Sequence, residues 1–479
     1  MNITTATVAQ DPSSRSFSKQ KSFFYPTYYS LKQSVCFLTT FIAILFFIQL
    51  HVLRFSYLLP SHHLQNDTKR HNDTNTKNEL KILSMLRDSV TFLPLKDLQF
   101  ANEPMSGQWF ISSINDTFED GETEYLRFPS QASKGRILCL SASDISDGTK
   151  NSFALAWPEA LPYNAILLPG LTFVSDTYYD YSNIWHGHSA IIPFIAWHQR
   201  KECVVPARWV LFHWGELRTK MSTWVQSLAE AAIGTVSIKK SDGGNKIRPA
   251  CYEEAVVFRH NQGRMSNARK VETYDMMRCK VRSHCNVSKV PRDELGPVQM
   301  TLLLRTGARS FKNETEVIRI FEEECRKVNA CRFKVQRSDN LTFCDQVKLL
   351  SETDILVSSH GAQMTNLIFM DKNSSIMEFF PKGWKELAGS GQYVFRWLAD
   401  STGMRHQGIW WDPEGDPCPN KNDGHECFNY YKNGQIGHDK AYFAQWAAKV
   451  LNEVKAHKMS VASKSRSQPL QESLSCRCV

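Results

Sequence analysis

Apolar positions between Leu93 and Ala456 alternate between two patterns. Short runs of strand length are Arg136–Leu140, Ala165–Leu168, Trp209–His213, Ala255–Phe258, Met300–Leu304, Asp354–Ser358 and Ser375–Phe379. Stretches with apolar residues at helical spacing lie between or after them, at Ile184–Trp197, Met221–Ala232, Asn313–Cys325, Thr342–Ser351 and Asp439–Val454. This alternation predicts an α/β fold in which helices cover parallel sheets.

One apolar run is longer than any strand. Ser34–Leu53 reads SVCFLTTFIAILFFIQLHVL and contains no Asp, Glu, Lys or Arg. About 20 such residues cross a hydrocarbon core as a helix. The competing interpretation, a cleaved signal peptide, requires a shorter apolar region nearer the N-terminus and a small-residue cleavage site. We therefore expect an uncleaved transmembrane anchor at residues 34–54.

The flanks of this run predict its orientation. Four basic residues precede it against one acidic residue, so residues 1–33 are expected to be a cytosolic tail. Residues 55–92 are expected to be a lumenal stem, because Ser61–Glu79 is polar and has no apolar period. Glycan acceptor sites (Asn-x-Ser/Thr) are predicted at Asn66, Asn72, Asn115, Asn286, Asn340 and Asn373. The chain is thus expected to be a type II membrane protein.

Composition excludes some other classes of protein. Apolar residues make up 42% of the 479 residues and charged residues 22%, as in globular proteins. The net charge of +9 is spread thinly, without the basic stripe that a nucleic-acid-binding protein needs. A basic surface also suits an anionic ligand.

Thirteen cysteines are present, and Cys36 falls in the predicted anchor. In an oxidising lumen some of the others should pair. Close spacing nominates Cys279/Cys285, Cys325/Cys331 and Cys418/Cys427, although sequence alone leaves the connectivity open.

Two arginines follow the strand-like run at residues 300–304. Arg305 ends the run, Gly307 permits a tight turn, and Arg309 precedes a helix with an Asn-x-x-Glu capping pattern at Asn313. Ligands of open α/β sheets bind beyond the carboxyl ends of strands. Guanidinium groups offer paired donors to a diphosphate, and the helix N-terminus adds positive potential. Taken alone, both arginines could also be surface ion-pair partners.

A second motif follows the strand-like run at residues 354–358. The run leads into Ser359, His360 and Gly361, and a further helix begins. Small residues at this point let backbone N–H groups approach an anion. A single histidine here is more often structural, but the arginines upstream favour a ligand site.

The sequence LLRTGARSFKNETE, followed by ILVSSHGAQMTN, resembles glycosyltransferase family 61. The resemblance covers residues 165–405. That family includes plant xylosyl- and arabinosyltransferases and animal N-acetylglucosaminyltransferases. The stretches YSNIWHGHSAIIPF and RWVLFHWGELR resemble a plant branch.

The resemblance implies a GT-B-like fold with two Rossmann-type lobes, following the single transmembrane helix. Residues 93–285 would be the acceptor-side lobe and 286–456 the nucleotide-sugar lobe. Independently of the resemblance, the Ser-rich composition after Met459 predicts a disordered tail at 457–479. The resemblance further implies an inverting Golgi enzyme that uses a UDP-sugar without a bound metal or other cofactor. A pentose such as xylose is the expected sugar, with N-acetylglucosamine as the alternative, and the acceptor would be a polysaccharide or glycoprotein. No Asp-x-Asp occurs in the predicted folded part.

The same resemblance suggests roles for individual residues. Arg305, Arg309 and His360 would bind the donor phosphates, and Glu378 the ribose hydroxyls. The remaining donor-site candidates would shape its loops: Asn313, Ser359, Gly361, Ala362, Thr365 and Asn366.

At the expected position of the general base, this sequence departs from the family pattern. Family members commonly carry a histidine followed four residues later by an aspartate, but here His186 is followed by Ala190. An inverting enzyme needs a base to deprotonate the acceptor hydroxyl. His186, His188 and Glu216 are the candidates. The alternatives are a catalytically silent Golgi scaffold with the same fold, or a cell-surface lectin or receptor. The oligomeric state is left open.

Overall fold

The computed structural model describes residues 68–95, 111, 114, 119–177, 179–239, 248–259, 265–287 and 296–465. The chain divides into two compact units, Met1–Asn78 and Glu79–Val479. Only residues 68–78 of the first unit are described, and they begin the first helix. The predicted anchor at 34–54 lies outside the described residues. None of the described helices is long and apolar enough to span a membrane.

The described residues confirm a mixed α/β chain with two sheets. The strands are β1 Leu93–Pro94, β2 Leu126–Phe128, β3 Ile137–Ser141, β4 Ser152–Ala156, β5 Ile166–Thr177, β6 Arg208–His213, β7 Glu216–Arg218, β8 Ser237–Ile238, β9 Ala250–Arg259, β10 Val298–Leu304, β11 Cys331–Arg337, β12 Ile355–Ser359, β13 Ser375–Phe380 and β14 Arg405–Trp411. The helices are α1 Thr68–Asp88, α2 Ile184–Arg200, α3 Thr223–Ile233, α4 Asn267–His284, α5 Glu314–Lys327, α6 Phe343–Ser351, α7 Trp384–Leu387, α8 Val394–Thr402, α9 Gly424–Asn433 and α10 Lys440–Ser465. Each of the predicted strands and helices corresponds to one of these elements.

The second sheet is entirely parallel. Its five strands follow the order β11-β10-β12-β13-β14. Strands β12 and β13 are buried along their whole length, as apolar strands covered on both faces must be. Helices α5, α6 and α8 and the 3₁₀ segment Ala362–Phe369 make the crossovers that parallel neighbours require. All five carboxyl ends therefore lie at one edge.

The first sheet departs from the prediction of parallel strands. Among the described residues it has nine strands, of which only β5, β6, β8 and β9 pair in parallel. Strands β3 and β4 pair antiparallel, as do β6 and β7. For β6 and β7 the reason is connection length, since Trp214 and Gly215 alone join these two strands, both with positive φ. So short a turn can only make a hairpin.

Helices join the two sheets through one apolar core. This core contains Phe173 and Trp209 from the first sheet and Leu303 and Leu356 from the second. Helices α2, α3, α4 and α8 contribute to the same cluster. The sheets thus share a helical layer, and loops from both can reach a common site.

Two segments are more regular than the sequence predicts. Helix α1 runs through the predicted stem, where Leu80, Ile82 and Met85 are exposed. Helix α10 continues to Ser465, so the predicted disordered tail at 457–479 begins too early. Lys458 is the physical reason for the second difference. Its Nζ donates to the carbonyl of Pro297 at 3.1 Å and to Asp354 Oδ2 at 3.0 Å, which ties the helix end to the sheet.

The disulfides correct one of the three nominated pairs. Cys325–Cys331 and Cys418–Cys427 are confirmed. Cys279/Cys285 is wrong, because Cys285 pairs with Cys344. Cys279 lies on α4 and Cys285 caps that helix, and six helical residues turn two side chains to different faces. A further bond joins Cys139 and Cys251, which are register partners on β3 and β9.

Candidate functional site

The two motifs meet at the carboxyl edge of the second sheet. Strands β10 and β12 are parallel neighbours, with Leu303 opposite Ser358. The loops that follow them therefore start side by side. Arg305 Nη1 donates to the carbonyl of His360 at 3.2 Å and to Gln363 Oε1 at 3.4 Å. The structure thus brings the arginine motif and the histidine motif together.

Gly361 makes this approach feasible. A Cβ built at this position would overlap both Nη1 of Arg305 and Oε1 of Gln363. Its φ of 163° is ordinary extended backbone, so the need for glycine is steric rather than conformational.

Arg309 is held in an unusual backbone conformation. Its φ is 61°, in the left-handed region that non-glycine residues rarely adopt. Its N–H donates to the carbonyl of Gly434 at 2.9 Å, and its guanidinium carbon lies 5.2 Å from the centre of the Trp384 ring. Burial, together with the charge of Arg305, lowers the pKa of Arg309 to about 10. Strain of this kind is characteristic of functional positions.

Both arginines lack a carboxylate partner among the described residues. Burial also lowers the pKa of Arg305. The Nε atoms of both side chains are buried without a hydrogen-bond partner in the described part of the chain. Placing two cations next to each other in a partly desolvated site costs free energy unless an anion binds between them and neutralises their charge. The arrangement is therefore suited to a ligand with two negative groups.

His360 lies beside these arginines and is 6% exposed. Its ring stacks on Phe380 with 4.4 Å between centroids and also contacts Trp384 and Phe395. Its Nδ1 is 2.6 Å from Oε1 of Glu378. Burial lowers the pKa of His360 more than this carboxylate raises it.

Glu378 does not have the geometry of a ribose ligand. It is 0% exposed, and its second oxygen is 2.8 Å from Nε2 of His406. Burial raises the pKa of Glu378, but the hydrogen bonds from the two histidines outweigh burial, and the net pKa lies below the ordinary value. The predicted ribose contact is therefore corrected to a buried anion between two imidazoles.

The other predicted donor-site residues are distributed around these groups. The hydroxyls of Ser359 and Thr365 are buried and have no hydrogen-bond partner among the described residues. Ala362 begins the 3₁₀ segment. Asn366 Oδ1 accepts from Trp224 Nε1 at 3.0 Å, so it links the segment to α3. Asn313 is exposed and caps α5 by accepting from the N–H of Glu316 at 3.1 Å.

His186 is the catalytic candidate that lies on a partly exposed part of α2. It lies in the first turn of α2 and stacks on Tyr179, which is 52% exposed, with 4.0 Å between ring centroids. Burial lowers the pKa of His186 to about 4, and the charge of Lys432 on α9 contributes. The neighbouring Trp185 contacts Phe395, the residue that also contacts His360.

The other two candidates are engaged elsewhere. His188 is 0% exposed, and its Nε2 is 3.2 Å from the hydroxyl of Tyr274. Burial lowers the pKa of His188 to about 3, as expected for a neutral core histidine. Glu216 lies in the β6–β7 hairpin and accepts from Arg218 at 2.7 Å. Arg218 also donates to Asp180, so this carboxylate belongs to a local ion-pair network.

Several residues near the site have no counterpart in the sequence-based prediction. Trp384 follows the carboxyl end of β13, so the strand-end rule could have found it. His406 gives no such signal, because only the pairing of β13 with β14 places it beside Glu378.

The predicted glycan acceptors are only partly described. Asn286, Asn340 and Asn373 are exposed. Asn66, Asn115 and the side chain of Asn72 lie outside the described residues. In the ranges that the structure describes, no group of three or more His, Cys, Asp or Glu could hold a metal ion. Metal independence stays a prediction.

Comparison with known proteins confirms the resemblance. The family model described as Glycosyltransferase 61 matches residues 167–377. Protein O-linked-mannose beta-1,4-N-acetylglucosaminyltransferase 2 from Mus musculus is 30% identical over 118 residues, which are 24% of this chain and 19% of that one. The Homo sapiens protein of the same name is 32% identical over 87 residues, 18% of this chain and 14% of that one. The matches thus span less than a fifth of these relatives.

A solved structure, the metal-soaked Flv1 flavodiiron core from Synechocystis sp. PCC6803, aligns over 44% of each chain. Its TM-score is 0.22 and its identity 7%, which is too low to indicate a common fold.

Proposed function

We propose that this chain, whose residues 167–377 match the glycosyltransferase 61 model, transfers a sugar from a UDP-sugar to a glycan acceptor. The observation that carries the proposal is the pair Arg305 and Arg309, which are partly buried close to each other and have no carboxylate partner among the described residues. Arginine forks match phosphate oxygens in geometry and charge.

The chemical step needs the negative charge of the leaving group to be offset. When the bond between the sugar C1 and the diphosphate oxygen breaks, that oxygen keeps the electron pair. Arg305 and Arg309 would offset this charge in a partly desolvated site, where electrostatic stabilisation is strongest. We propose that no metal ion is needed.

We assign the general base to His186. In an inverting transfer, the base takes the proton of the acceptor hydroxyl while its oxygen attacks C1 from the face opposite the diphosphate. His186 is only partly buried and its imidazole is neutral, so the ring can accept a proton, while the lowered pKa makes the free enzyme's His186 a weaker base than an ordinary imidazole. The negative donor would offset Lys432 and raise the basicity of His186.

The proposal also covers the arrangement of the lobes, the cellular location and the donor sugar. The five-stranded parallel sheet supports a nucleotide-binding lobe at 286–456, in a GT-B-like pair with an acceptor lobe at 93–285. We propose a Golgi membrane location in type II orientation. For the donor sugar we propose a pentose such as xylose. N-acetylglucosamine, which occurs in the names of the matched relatives, is the second donor to assay.

Binding of UDP to the purified full-length chain in the presence of EDTA tests the donor site. We expect binding that Arg305→Ala and Arg309→Ala each weaken by at least tenfold, with an exposed change, Arg326→Ala, as the matched control. Binding that requires Mn²⁺, or that survives both substitutions, would contradict the assignment.

Hydrolysis and transfer assays with UDP-xylose, UDP-arabinose and UDP-N-acetylglucosamine then test the reaction. His186→Ala should bind UDP normally and lose transfer. A chain that binds UDP and turns over none of these donors would favour the silent scaffold.

A further inference from the structure

A buried carboxylate lies between two imidazoles directly behind the proposed phosphate site. Glu378 on β13 contacts Nδ1 of His360 at 2.6 Å and Nε2 of His406 at 2.8 Å. The side chains of the two histidines are 8% and 3% exposed. Neither Glu378 nor His406 reaches the surface where a donor would bind, so the mechanism proposed above does not use them.

We propose that His406 is a positioning residue which, through Glu378, holds His360 so that His360 takes up one proton when the donor diphosphate binds. The inference rests on the proposed function and deepens it, because it specifies how the donor site changes its charge on binding.

The hydrogen bonds determine which atoms carry protons. A carboxylate can only accept, so Nδ1 of His360 and Nε2 of His406 must both donate to Glu378. The other ring nitrogen of His360, Nε2, is then free to contact a ligand. Nε2 has no hydrogen-bond partner among the described residues. In the neutral ring that atom carries a lone pair, which repels phosphate oxygens. Only a protonated Nε2 can donate to the diphosphate.

The charges around His360 favour this uptake. Glu378 and His406 face it from β13 and β14, and Arg305 and Arg309 from the loop after β10. The other neighbours, Phe380, Trp384 and Phe395, are uncharged. Without ligand, burial and the two arginines lower the pKa of His360.

A bound diphosphate would offset the arginines and leave Glu378 as the dominant neighbouring charge, which raises the pKa of His360. The proton then comes from solvent, and binding strengthens as pH falls through the interval between the free and bound pKa values.

Calorimetric titration of the full-length chain with UDP at pH 7.5, in buffers of different ionisation enthalpy, counts the protons taken up. The terminal phosphate of UDP has a pKa of about 6, so it is mostly ionised at this pH and contributes equally to every arm. Glu378→Gln removes the charge, and His406→Ala removes the group that orients it. His406→Gln keeps a donor to Glu378, and His284→Ala removes an exposed histidine at the end of α4.

We expect the wild type, His406→Gln and His284→Ala to take up the same fraction of a proton. Glu378→Gln and His406→Ala should lose at least half of it and bind UDP about tenfold more weakly. Equal uptake in all folded variants would overturn the proposal. If neither buried variant folds, the wild type alone decides, because UDP binding without net proton uptake would also overturn the proposal. A folded wild type that does not bind UDP refutes the proposed function instead.

Discussion

Arg305 occupies the space in which a side chain at position 361 would stand. Its Nη1 donates to the carbonyl of His360, and a Cβ on Gly361 would overlap that nitrogen. The position of the Arg305 side chain therefore depends on the absence of a side chain at Gly361. This holds although 55 positions separate Arg305 from His360 in the sequence.

Gly361→Ala should displace the Arg305 guanidinium and weaken UDP binding. The loss of one charge-assisted hydrogen bond costs about 1.5–3 kcal/mol, or about ten- to a hundredfold in affinity. Gly391→Ala is the matched control, because a Cβ there meets nothing within 4 Å. Equal UDP affinity in the two variants, measured by calorimetry, would show that Arg305 need not occupy its present position.

Arg309→Gly should separate stability from binding. The φ of 61° costs an arginine about 1–2 kcal/mol that glycine does not incur. We expect an unchanged or higher free energy of unfolding in urea, together with at least a tenfold loss of UDP affinity. A variant that is strongly destabilised would instead show that Arg309 has a structural role, in which its contact with Trp384 holds the loop.

His188 should make the fold sensitive to acid. Its pKa is about 3 in the folded chain against an ordinary value of about 6.5, so the unfolded chain binds more protons between these limits. The stability from the neutral imidazole is complete above pH 6.5 and is lost as pH falls, at up to about 1.4 kcal/mol per unit. Urea unfolding between pH 7 and 5 should show a shallower dependence for His188→Phe than for the wild type. Parallel curves would contradict the burial of a neutral ring.

The disulfides should differ in their contribution to stability. Cys285–Cys344 closes a loop with a sequence separation of 59, and Cys325–Cys331 one of 6. By chain entropy, removing them with paired Ser substitutions should cost about 4 and about 2 kcal/mol. Urea unfolding without reductant measures both, and a larger loss for the shorter loop would contradict this ranking.

The sequence by itself determined the elements and one edge of the site. Strands and helices depend on apolar spacing, which is local, so the motifs at Arg305 and His360 could be placed at strand ends. Because parallel strands share a carboxyl edge, their meeting could be predicted from order along the chain.

Tertiary structure alone decided the partners. From the sequence, Glu378 is a carboxylate near the end of a strand. Only the pairing of β14 with β13 places His406 against it, and this contact argues against binding of a ribose. His186 and His188 are two residues apart on α2, yet one stacks on an exposed tyrosine and the other is fully buried. Cys285 bonds to Cys344 rather than to its near neighbour in sequence. Each of these outcomes depends on which surfaces pack against each other, and one sequence read locally does not contain that information.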